Sequence, residues 1–245
     1  MERELPPGRR VAPSILSADY SRLGAEVQEV MDAGARVIHV DVMDGHFVPP
    51  ITIGPLIVNA LREQIHGADG WIDVHLMIER PERHVADFVS AGADSISIHW
   101  EATPHVHYAL KTVREAGLLA GLAINPATPP GAVEAAADYF DILLCMTVNP
   151  GWGGQEFIEG SLDKVRRLAE RLRNAIADRA VLFEGTPIRV TASFGIAGYP
   201  ETVPHGDWLF PAADRALYLA KESGRNCVKS VLTTGDMPTN YKTGT

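Results

Sequence analysis

Between residues 11 and 173, short apolar and β-branched runs alternate with longer stretches whose apolar positions recur every three or four residues. The runs 37–42, 71–76, 95–99, 119–124 and 142–148 read as strands, and 22–33, 54–64, 81–91 and 106–116 as helices between them. With 11–16 as a first strand, six βα units are complete by residue 173. Such alternation predicts an α/β fold, TIM-barrel-like, with a parallel sheet covered by helices. The glycines of two Ala-Gly-Ala repeats, Gly34 and Gly92, stand where helix C-caps belong.

Beyond residue 173 the pattern changes. Along 188–197, Ile188, Val190, Ala192, Phe194 and Ile196 fall on one face and Arg189, Thr191, Ser193 and Gly195 on the other. Clean alternation suits an antiparallel strand covered on one side. A helix over 207–223 follows, with Leu209, Ala213, Ala216, Leu217 and Ala220 on its apolar side, then a strand over 227–232. From residue 233 the composition is that of an unstructured tail. The expected organisation is a barrel part, 1–173, a β-α-β segment, 174–232, and the tail, 233–245.

Composition narrows the class. The 245 residues are 46 % apolar, enough for a sizeable core, and the net charge is −9 with no basic stripe. A nucleic-acid partner is not expected. Neither a membrane-spanning run nor a signal-peptide start is present, and two cysteines in apolar runs suit reduced thiols, so the expected location is cytoplasmic. A phosphorylated small molecule remains open as a ligand, because backbone amides hold phosphate without net positive charge.

Two segments carry candidate chemistry. In Val37-Ile38-His39-Val40-Asp41-Val42-Met43-Asp44-Gly45, alternation puts His39, Asp41 and Met43 on one face. Asp73, His75 and Met77 repeat the arrangement on the next strand. His39, Asp41 and His75 offer two nitrogens and an oxygen, a set for Zn, Fe, Mn or Co. The same side chains would also serve as hydrogen-bonded core groups, and the pattern alone leaves both readings open. The second segment, Asn149-Pro150-Gly151-Trp152-Gly153-Gly154-Gln155, follows the last barrel-like strand with three glycines whose backbone N–H groups suit a phosphate.

Together with Ser14-Ile15-Leu16-Ser17 and Phe47-Val48-Pro49, these segments resemble ribulose-phosphate 3-epimerase over residues 11–173. The resemblance implies a TIM-barrel isomerase of the pentose phosphate pathway that inverts C3 of ribulose 5-phosphate through an enediolate. It implies a divalent metal on His39, Asp41 and His75, with Asp41 also an acid–base group and His75 beside the substrate. Ser14 would touch the substrate, Met43, Met77 and Met146 would wall the intermediate, and Gly151, Trp152, Gly153 and Gly154 would bind phosphate. Trp152 stands where that family usually has Phe.

The resemblance stops before the family's seventh-strand Asp-Gly-Gly, which supplies a second acid–base group and a fourth ligand, and before its eighth-strand Gly-Ser. Neither motif is present. From about residue 168 the chain is similar instead to the C-terminal end of a GGDEF-type diguanylate cyclase domain, on 188–197, 213–221 and Gly224-Arg225-Asn226. The signature loop of that family is missing, so a cyclase is not expected. Lys221 and Arg225 would match its phosphate-side cations, or simply decorate a helix C-terminus. Glu184 is a weak candidate for the missing carboxylate and fits a turn better. Three readings follow: an epimerase, impaired if the second base is absent; a non-catalytic sugar-phosphate or metal-binding remnant; and a nucleotide-binding regulatory module. The partner expected is a small phosphorylated sugar, and the sequence leaves room for a homo-oligomer.

Overall fold

The apolar and polar alternation of 37–43 becomes the first strand of a computed structural model that describes residues 5–6, 11–199 and 202–231. Two compact units result, residues 1–156 and 157–245. In the first, the order is α1 (Leu23–Asp32), β1 (Val37–Met43), α2 (Pro55–Gly67), β2 (Trp71–Met77), α3 (Val85–Ala91) and β3 (Ser95–His99). It continues with α4 (Val106–Glu115), β4 (Leu119–Ile124), the single turn α5 (Gly131–Glu134) and β5 (Ile142–Cys145). The five strands form one parallel sheet in chain order. The architecture is TIM-barrel-like α/β.

One face of each of β1 to β4 is buried in the core, while β5 is half-buried. Ile38, Val40, Ile72, Val74, Ile96, Ile98 and Leu122 have no exposed surface. Val58 and Ile65 of α2, and Ala109, Leu110 and Val113 of α4, are equally buried. Burying each large aliphatic side chain contributes roughly 1.5–3 kcal/mol. Pro55 opens α2 at a position where its missing N–H costs nothing, and Gly92, at φ 104°, ends α3 in the left-handed region.

The opposite face is polar and set by register. His39 lies opposite Asp73, Asp41 opposite His75 and Met43 opposite Met77. Ser97 pairs with His75 on one side and Gly121 on the other. A Cβ on Gly121 would come 2.0 Å from Ser97 Oγ, so the position admits no side chain.

The expected first strand, 11–16, is reduced to one parallel bridge between Ser14 and His39. Ser14 acts as an N-cap: its Oγ accepts from Leu16 N at 3.1 Å and starts a 3₁₀ turn, Ile15–Ser17. The chain therefore turns away where a full strand would run on. Five βα-type strands and a bridge stand in place of six strands.

In the second unit, α6 (Ser161–Asp178) precedes an antiparallel hairpin of β6 (Ala180–Phe183) and β7 (Thr186–Arg189). Then come β8 (Phe194–Ile196), α7 (Leu209–Glu222) and β9 (Val228–Ser230), with β8 and β9 paired in parallel. The expected strand 188–197 is thus split, its first part serving the hairpin. Ala212, Ala216 and Ala220 form the buried stripe of α7, where Ala213 was expected in place of Ala212. Small residues let α7 lie close on β8, and a Cβ on Gly195 would sit 2.1 Å from Ala213 O. The helix α6 joins this unit through Arg166, which donates to Ser230 Oγ at 3.0 Å, and Arg173, which donates to Asn226 Oδ1 at 3.0 Å. The division into units accordingly falls before α6, and residue 173, the expected join, lies within that helix. Residue 232 of the expected last strand and the tail 233–245 lie outside the described residues.

Candidate active site at the strand ends

Asp41 is the centre of the polar face. Its Oδ1 lies 3.3 Å from His39 Nε2 and 2.9 Å from His75 Nδ1, while its Oδ2 accepts from Ser14 Oγ at 2.5 Å. The ligand atoms of His39, Asp41 and His75 all lie within 4.8 Å of one another. Bonds of about 2.0–2.1 Å to one ion put neighbouring donors about 2.9–3.4 Å apart, so this set fits a divalent metal.

The ring of His39 is aimed from behind. Its Nδ1–H donates to Asp73 Oδ2 at 2.7 Å, which leaves Nε2 toward Asp41. Asp73 in turn accepts from Ser95 Oγ at 2.5 Å, and Ser95 Oγ accepts from Trp71 Nε1 at 2.9 Å. Burial alone would lower the pKa of His39, but hydrogen bonds and charge attraction from Asp41 and Asp73 raise it to about 10. Burial would raise that of Asp41, yet His39 and His75 hold it well below the usual carboxylate range. His75 is fully enclosed, and burial, aided by the neighbouring histidines, lowers its pKa to about 4. Without a metal the site therefore holds a charged His39 between two carboxylates and a neutral His75.

Two further residues on the polar side went unnoticed in the sequence. His75 Nε2 lies 2.8 Å from Nε2 of His99, whose side chain is fully buried. His99 Nδ1 lies 3.3 Å from Glu101 Oε2. Glu101 Oε1 accepts from Asn125 N at 2.9 Å and from Thr128 Oγ1. Desolvation opposes its ionisation, but the bonds from His99, Thr128 and Asn125 bring its pKa down to about 2. The same alternation that placed His39 inward would have marked Ser95, Ser97 and His99 along β3.

Above the polar groups lies an apolar lip of Met43, Val48 and Met77, with Leu16 and Phe47 packed on it. Phe47 also rests on His99, ring centroids 4.8 Å apart. Met146 is not in that cluster; it follows β5 half-buried, its N–H bonded to Ile124 O at 3.1 Å.

The glycine loop 149–155 borders this lip. A Cβ on Gly151 would stand 3.4 Å from Val48 Cβ, and one on Gly153 would stand 3.6 Å from Ser17 Oγ. Gly151 and Gly154 adopt φ of 126° and 71°, so both positions favour glycine. Gln155 Nε2 donates to Asn149 O at 2.6 Å and Trp152 O at 2.8 Å, which folds the loop on itself. Trp152 is 53 % exposed.

The remaining candidates belong to the second unit. Glu184, at φ 49°, and Gly185, at φ 78°, form the two-residue turn of the β6–β7 hairpin, and Glu184 is exposed. Lys221 is in the last turn of α7, and Arg225 follows at φ 62°, its N–H bonded to Ala220 O at 3.0 Å. Among the described residues, no helix is long and apolar enough to cross a membrane.

Fold and donor set define a class: an α/β enzyme with a two-histidine, one-carboxylate site on the polar face of its parallel sheet. The family profile and the curated relatives agree on a single family. Residues 10–192 match the profile of the ribulose-phosphate 3 epimerase family. Ribulose-phosphate 3-epimerase of Bacillus subtilis is 43 % identical over 217 residues, covering 88 % of this chain and 98 % of that one. The Synechocystis enzyme of the same name is 55 % identical over 162 residues, 65 % of this chain and 69 % of its own. That of Escherichia coli is 48 % identical over 162 residues, covering 66 % and 71 %. The chain belongs to the ribulose-phosphate 3-epimerase family and is an isomerase by class. The similarity runs past the expected join at 173, and these comparisons lend no support to a segment of GGDEF type.

Proposed function

We propose that this chain interconverts D-ribulose 5-phosphate and D-xylulose 5-phosphate by moving a proton at C3. One observation carries the reading: Asp41, with its register partner His75, its strand neighbour His39 and the Ser14 hydroxyl, forms one cluster on the polar face of the sheet, beside a glycine loop. His39, Asp41 and His75 would hold the divalent metal, of the Zn, Fe, Mn or Co kind, which when bound supplies positive charge against the oxygens of the reacting carbons. Asp41 is one of two acid–base groups on opposite faces of C3, its free oxygen oriented by Ser14. It removes the proton on its own face in one direction of the reaction and delivers it there in the other. The substrate passes through an enediolate, and Met43 and Met77 keep water from its open face, with Met146 assigned to the same wall. Gly151, Trp152, Gly153 and Gly154 take the phosphate on their backbone N–H groups. His75 lies against the sugar as well as the metal. A cytoplasmic location and a small phosphorylated sugar as substrate accord with this chemistry.

Inversion needs a second acid–base group on the far face of C3, and its identity decides between full activity and an impaired enzyme. Glu184 remains the weak candidate. No specific observation favours a non-catalytic remnant or a nucleotide-binding module derived from residues 174–232. The test is proton NMR of ribulose 5-phosphate with the metal-loaded chain in D₂O. Deuterium at C3 together with xylulose 5-phosphate is the expected result, and Asp41→Asn should abolish both. Washout without product would mean one working base. Absence of both in the unaltered chain would refute the proposal.

A further inference from the structure

We propose that Glu101 and His99 form a relay that fixes His75 in the tautomer whose bare Nδ1 faces the metal site. Both are positioning residues, and the proposal rests on the metal reading above. Between Asp41 and Glu101 the rings of His75 and His99 leave three polar gaps: Asp41 Oδ1 to His75 Nδ1, 2.9 Å; His75 Nε2 to His99 Nε2, 2.8 Å; and His99 Nδ1 to Glu101 Oε2, 3.3 Å. Each gap lies between two atoms that both carry lone pairs unless a hydrogen or a cation stands there. Two neutral imidazoles carry only two hydrogens. One gap is left for something else.

Both outer gaps end on a carboxylate, so a cation held by Asp41 Oδ1 and His75 Nδ1 takes one of them and leaves the two hydrogens for the others, an arrangement that Glu101 supports. Its carboxylate accepts only, and its other oxygen is tied by Asn125 N and Thr128 Oγ1, so it cannot turn Oε2 away without losing those bonds. His99 Nδ1 therefore carries a hydrogen and donates to Glu101. His99 Nε2 is then bare and must receive, which puts the hydrogen of His75 on Nε2. The gap without a hydrogen is then the one between His75 Nδ1 and Asp41 Oδ1, where the cation stands. The reverse arrangement would fill that gap with hydrogen and set the His99 Nδ1 lone pair against Glu101. Asp73 does the same for His39 in a single step, through Nδ1–H. The two histidines are thus aimed from opposite sides, one directly by a carboxylate and one through a second ring.

The test uses the full chain, ¹⁵N-histidine-labelled, and zinc. Zinc affinity is measured by chelator competition in the unaltered chain, His99→Leu, His99→Gln and Glu101→Gln, with far-UV circular dichroism to verify folding. Leucine fills the volume but accepts nothing, so His99→Leu should lose about 10–100-fold in affinity. The glutamine carbonyl accepts from His75 Nε2–H, so His99→Gln should recover most of that loss. A packing role alone would give no such rescue. Should His99→Leu fail to fold, Glu101→Gln answers instead, because its amide can offer a hydrogen to His99 and reverse the relay, lowering affinity by about tenfold. In the zinc-loaded unaltered chain, ¹⁵N shifts should report His99 protonated on Nδ1 and bare on Nε2. The opposite tautomer, or equal affinity in all folded variants, would overturn the relay while leaving the metal site standing. Failure of the unaltered chain to bind zinc would overturn the metal reading, and the relay with it.

Discussion

Filling the site with a divalent ion should expel one proton, and that proton should come from His39. At pH 7 the metal-free site holds Asp41 ionised, His75 neutral with a pKa of about 4, and His39 charged with a pKa of about 10. An ion can use His39 only through Nε2, and Nδ1 keeps its hydrogen on Asp73. At pH 7 the displaced proton lies about three pH units below its pKa, which costs about 4 kcal/mol and lowers apparent affinity by about 10³. Affinity should therefore rise about tenfold per pH unit between 7 and 9. The sign for stability follows from the same shift. The His39 pKa is raised above its ordinary 6.5, so its stabilising interaction is complete below 6.5 and is lost as pH climbs through about 10. The metal-free chain should lose stability over that window, and the metal-loaded chain, with no proton on His39 Nε2, should not. Zinc titration calorimetry in buffers of different ionisation heat counts the protons. Affinity independent of pH between 7 and 9, or no proton released, would refute the charge assignment.

Three substitutions test other parts of the structure. Asp73→Asn removes the charge behind His39, so metal affinity should fall about 10–100-fold at high pH, and the pH at which it levels off should drop; an unchanged plateau would count against the Asp73 role. Gly121→Ala drives a Cβ into Ser97 Oγ and should destabilise the parallel unit by about 1–3 kcal/mol, read as a lower urea midpoint. An unchanged midpoint would mean the strands yield freely there. Gly195→Ala pushes against the backbone of α7 at Ala213 O and Leu217 N, so amides of β8 and β9 should lose hydrogen-exchange protection while those of β1 to β4 keep theirs.

The parts of the site written in strict alternation were legible before the structure. In 37–43, Ile38, Val40 and Val42 fall on alternate positions, so the inward place of His39, Asp41 and Met43 follows from the pleat alone. His99 obeys the same rule, but Ser95-Ile96-Ser97-Ile98-His99 offers serines where β1 and β2 offer carboxylates, which makes it look like ordinary core. Glu101 could not be found this way, because it lies in a 3₁₀ turn after β3 and reaches His99 by tertiary placement. Ser14 shows a different limit. Strand propensity favoured 11–16, yet one side-chain cap to Leu16 N bends the chain, and the same serine still meets Asp41. The hairpin of β6 and β7 was missed because Glu-Gly is not among the strong two-residue turn signals, although both residues take the positive φ that such a turn needs.

Strand order along the sheet is chain order, and this bears on how the protein is made. Hydrogen bonds between successive strands join residues at modest separations: 34 for His39 and Asp73, 22 for Asp73 and Ser95, 21 for Ala120 and Asp141. Loop-closure entropy grows only as the logarithm of such spans, so these closures differ in cost by roughly 0.5 kcal/mol. No pairing within the sheet waits for a distant segment. A nascent chain can add one strand at a time as it leaves the ribosome, and Asp41 meets His75 as soon as the second strand docks, long before the glycine loop has been synthesised.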